Sequence, residues 1–71
     1  MTHPVTEILS YGEEESQRHF AVYSPEEGEN FWKAYEVDSA DTENFSVIGT
    51  LLEGQTYLLL KRKIEIYTRV N

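Results

Sequence analysis

The sequence predicts a mainly β protein: a small antiparallel barrel or compact two-layer sheet of four to five strands. Three observations carry that expectation. Apolar residues between the polar breaks alternate with period two rather than 3.6. β-branched and aromatic residues dominate those stretches, as strands prefer. Turn chemistry recurs at short intervals, at Gly12–Ser16, Ser24–Gly28, Asp38–Asn44 and Glu53–Gly54. The 71 residues allow one small domain, 1–71, with residues 1–4 expected to fray.

The first segment is ambiguous. Val5, Ile8 and Leu9 fit a short helix opened by Pro4 and closed by Gly12. Thr6–Tyr11 fits a short strand, and the strand is preferred. The second element, Arg18–Ser24, sets Phe20 and Val22 on one face and His19, Ala21 and Tyr23 on the other. The turn after it places Pro25 where φ is preset and Gly28 where a positive φ is needed. In Phe31–Asp38, Phe31, Lys33, Tyr35 and Val37 oppose Trp32, Ala34 and Glu36. In Phe45–Leu52, Phe45, Val47, Gly49 and Leu51 oppose Ser46, Ile48, Thr50 and Leu52.

The last segment sets Leu58, Leu60, Ile64, Ile66 and Val70 on one parity, and so reads as a strand from Thr56. Fifteen extended residues would span about 50 Å. A chain of this length has a radius of gyration of about 11 Å. A bend at Lys61-Arg62-Lys63 is therefore expected, of the kind that closes small barrels. Leu51-Leu52-Glu53-Gly54-Gln55-Thr56-Tyr57 resembles the tyrosine corner of fibronectin type III domains, with Glu53 where that motif has proline. The resemblance covers seven residues and implies a return of the Tyr57 hydroxyl to nearby upstream backbone. Without it, Tyr57 is a strand aromatic beside a turn.

Composition excludes several functions. There is no cysteine, so no disulfide framework, thiolate nucleophile or cysteine metal site. No phosphate-cradling glycine loop, dinucleotide fingerprint or nucleophile motif occurs. The two histidines, His3 and His19, have no partners at recognised ligand spacing. No metal, cofactor or catalysis is expected, because so small a body has little room for a deep cleft. No apolar run reaches the ~18 residues of a membrane span. No leader of basic, apolar and small residues is visible, so a cytoplasmic location is expected.

Charge is the remaining signal. Thirteen acids against six bases leave a net charge of −7. The bases Lys61, Arg62, Lys63 and Arg69 cluster in the last segment. The leading functional expectation is a non-catalytic protein-interaction module or accessory subunit. In it Glu13, Glu14, Glu15, Glu26, Glu27 and Glu29 steer a partner with a basic surface, and Trp32 and Tyr35 anchor it. The alternative is a single-stranded nucleic-acid platform on an extended C-terminal face of Tyr57, Lys61, Lys63, Tyr67 and Arg69. Rings would stack on bases there, and cations would meet phosphates. Opposite charges on body and C-terminus also permit a homodimer.

Overall fold

The computed structural model describes residues 5–70. The expected fraying of residues 1–4, with His3 and Pro4, lies outside them. Four strands form one antiparallel sheet in sequence order: β1 (Glu7–Tyr11), β2 (Arg18–Tyr23), β3 (Trp32–Val37) and β4 (Val47–Gly54). One helix, α1 (Tyr57–Val70), follows and packs on one face. Among the described residues no helix is long and apolar enough to cross a membrane.

The period-two reading holds for the first three strands. The first segment is a strand. Phe20 and Val22 face α1 with Ala34, and all three are fully buried. The opposite face runs through the paired row Ile8, Ala21, Tyr35 and Leu51. Gly28 takes φ +89°, and the Glu29 N–H donates to the Glu26 carbonyl at 2.9 Å. The turn is therefore Glu26–Glu29, and Pro25 precedes it instead of taking its second position as expected. A single 3₁₀ turn, Glu14–Ser16, lies between β1 and β2.

Three expectations are corrected. The sheet does not close into a barrel. It keeps two edges, β1 and β4. The fourth strand starts and ends two residues later than expected, because Glu53 and Gly54 still pair with Lys33 and Trp32. The C-terminal segment is a helix, so the fold is mainly sheet with one helical layer.

The helix resolves the length problem without a bend. At 1.5 Å per residue a fourteen-residue helix is about 21 Å long, short enough to lie along the sheet. It is capped by Thr56, whose Oγ1 accepts from the Leu59 N–H at 3.1 Å and whose carbonyl accepts from the Leu60 N–H at 3.0 Å. Tyr57, Leu60, Ile64 and Tyr67 recur at helical spacing and form the stripe that meets Phe20, Val22 and Ala34. The Tyr57 hydroxyl donates to the Glu7 carboxylate on β1, not to backbone, so the fibronectin-like corner is absent.

Candidate functional site

The helix has two apolar faces, and only one is used internally. Residues at helical spacing on the outer side are Leu58, Leu59, Arg62, Ile66, Arg69 and Val70. Leu58 is 75% exposed and Val70 77%. The adjoining edge strand adds exposed Val47, Ile48 and Leu51. Seven of the eight exposed large hydrophobics among the described residues therefore belong to β4 and α1, the eighth being Phe31. Scattered exposed leucines need no explanation; here they share two adjoining elements, Leu58, Leu59, Ile66 and Val70 on the outer side of α1 and Val47 and Leu51 on the sheet face away from it.

A groove of about 520 Å³ runs between the end of β4 and α1. Phe31, Leu59 and Ile66 give it an apolar lining, and Arg62, Lys63 and Glu53 give it charge. Arg62, Lys63 and Arg69 make no ion pair and no side-chain hydrogen bond among the described residues. The other cations are engaged. Arg18 binds Glu36 through two hydrogen bonds of 2.8 Å, Lys33 binds Glu29 at 2.9 Å, and Lys61 lies 5.4 Å from the centre of the Tyr57 ring.

The residues singled out from the sequence are distributed as follows. Trp32 lies on the covered side, half-buried, its ring 5.1 Å from that of Tyr57. Tyr35 lies on the open sheet face, edge-on to Tyr23 at 6.1 Å. Glu13, Glu14 and Glu15 are exposed in the β1–β2 connection. Glu26, Glu27 and Glu29 are exposed in the β2–β3 connection, at the opposite end of the six-residue strand β2. That separates the two acidic groups by roughly 20 Å. Glu29 holds Lys33, and the Lys33 ammonium is held above its usual pKa chiefly by that bond.

Of the C-terminal set, Tyr57 and Tyr67 turn toward the sheet, half-buried. Tyr67 meets Phe20 edge-on at 6.0 Å and carries the Arg18 guanidinium 5.1 Å from its ring centre. Lys63 and Arg69 are exposed. The helix brings Tyr57 and Lys61 together but sends Lys63 and Arg69 to other sides, so one extended face of five residues does not form.

The Tyr57 phenol is pushed up to about 12, first by its hydrogen bond to Glu7 and then by burial. His19 shares a 2.8 Å hydrogen bond with Ser10 on the open face. Among the described residues no three His, Asp or Glu side chains converge as a cation site.

Sequence reasoning missed Leu58, Leu59, Arg62, Ile66 and Val70 as a surface. The signal was the helical spacing of Tyr57, Leu60, Ile64 and Tyr67, which leaves those five residues outside. The chain matches no protein-family model, no curated protein and no solved structure.

Proposed function

We propose that this chain is a non-catalytic protein-interaction module that docks through the surface made by β4 and the outer face of α1. The observation that carries the reading is the concentration of exposed large apolar side chains on those two elements. An apolar centre with a charged margin is the usual build of a protein-contact patch, with Arg62 and Arg69 as candidate anchors. The acidic connections, Glu13–Glu15 and Glu26–Glu29, lie at opposite ends of the sheet and do not form one array. They keep the module soluble and set its far field.

Photocrosslinking tests the proposal. The full chain carries p-benzoylphenylalanine at Leu59 in one preparation and at Glu14 in another, and each is irradiated in cell extract. The Leu59 probe should give discrete protein adducts that disappear when Leu58 and Ile66 are both changed to Glu. Adducts from Glu14 alone would move the docking site to the acidic loops. Adducts to nucleic acid would replace the reading with the nucleic-acid alternative.

A further inference from the structure

We infer that the partner presents an extended segment that alternates apolar and acidic residues and adds to the sheet as a fifth strand beside Leu51–Gly54. The inference rests on the proposed docking surface and names what fills it.

Among the described residues β4 has a neighbouring strand on one side only. A free edge presents a row of N–H and C=O groups, and proteins usually guard it with lysine, proline or a bulge. The stretch Val47–Gly54 contains neither lysine nor proline. Its first half is guarded by an irregularity, since Tyr35 pairs with Leu51 while Val37 pairs with Val47. Its second half, Leu51–Gly54, pairs in regular register with Trp32–Tyr35. This half, whose one guard is the charge of Glu53, lies beside the groove, which Glu53, Gly54 and Gln55 line.

A strand added there sends alternate side chains to the two sides of the sheet. On the α1 side they enter the groove, where Arg62 and Lys63 stand without acidic partners. On the open side they meet exposed Leu51 and the carboxylate of Glu53, which favour an apolar residue over a second acid there. Acid on one side and apolar on the other is the alternation this geometry selects. The thirteen acids of the chain repel such a segment at long range. At physiological salt that field fades within about 8 Å, which leaves the near cations to decide. A second copy answers the surface less well. Its β4 carries one charge, Glu53, and a two-fold pairing would bring both copies' Arg62 and Lys63 into one interface.

The test uses a fluorescein-labelled octapeptide of alternating Val and Glu, titrated with the full chain in fluorescence anisotropy. Saturable binding is expected at ~150 mM salt and should weaken at ~1 M, where screening within about 3 Å reaches the near cations too. The R62E/K63E variant, with unchanged circular dichroism, should lose at least tenfold in affinity. A peptide with methylated backbone nitrogens should lose as much, because main-chain pairing is what holds it. A Val/Lys octapeptide should not bind. Equal binding of both peptides, no binding of either, or indifference to methylation overturns the inference. Light scattering and a Thr50→Cys crosslink (the chain has no other thiol) examine the second copy. A crosslinked dimer overturns the acidic-segment partner while the docking surface stands. A Leu59 probe that captures nothing removes the docking surface itself.

Discussion

Gly54 is the residue on which the two layers meet. It is fully enclosed, and a Cβ built on it would lie 2.7 Å from the Leu60 nitrogen and 2.9 Å from the Leu60 Cα. These are backbone atoms of the first turn of α1, so no rotamer relieves the clash and the helix must move. Gly28 differs. Its φ of +89° strains any L side chain, but nothing lies within 4 Å. Gly54→Ala should therefore cost about 3 kcal/mol, the upper end of the overpacking range. Gly28→Ala should cost about 1 kcal/mol, the penalty of a left-handed residue. Urea unfolding monitored by Trp32 fluorescence orders the two variants. A Gly54→Ala midpoint equal to that of the parent would show that α1 does not sit on β4 as described.

At the scale of elements, the strands were legible and the helix was not, for one physical reason. A strand on this sheet has one face under α1 and one without it, so its apolar residues favour one parity, although Ala21 and Val37 are buried on the other. Phe20 and Val22 against His19, Ala21 and Tyr23 show it, and so do Trp32 and Ala34 against Lys33 and Tyr35. The helix carries apolar residues inside and outside. Leu58, Ile66 and Val70 on the outer side join Leu60 and Ile64 on the inner side to imitate a period of two. Reading a strand there also hid the proposed docking surface, because a surface on one side of a helix has no counterpart in a strand register. Trp32 and Tyr35 were assigned to opposite faces correctly, but which face is covered depends on where α1 lies. The missed local signal was Thr56. Its hydroxyl oxygen accepts the Leu59 N–H at 3.1 Å. Thr56→Ala should cost about 1 kcal/mol, and Thr56→Ser close to nothing, since serine is at least as good a cap. Amide exchange at Leu59 should quicken in the alanine variant. An unchanged rate would mean that the cap does not hold the first turn.

For the whole molecule, ion pairing and half-buried phenols set the pH range of stability. The two-fold hydrogen bond from Arg18 holds the Glu36 carboxyl below its ordinary value of 4.5. Its contribution is present above that value and is lost as pH falls through the lower, folded one. Net charge opposes this at the acid edge. Thirteen acids repel one another at neutral pH, and protonating the exposed ones relieves that strain. The acid loss should therefore be shallow. The alkaline edge has no such relief. Tyr57 rises from 10.0 to about 12 through its hydrogen bond to Glu7, and burial pushes Tyr11 and Tyr23 up as well. A raised phenol contributes stability below pH 10, and the contribution disappears as pH climbs toward 12. Ionisation adds negative charge to a chain already at −7, so both effects act in one direction. Urea midpoints should stay level from about pH 5 to pH 9, fall gently below, and fall steeply above pH 10. Tyr57→Phe should lower the plateau and flatten the alkaline fall, while Glu36→Gln should lower the plateau and flatten the acid fall. An alkaline fall equally steep in Tyr57→Phe would show that the Glu7 hydrogen bond contributes nothing to holding α1 against β1.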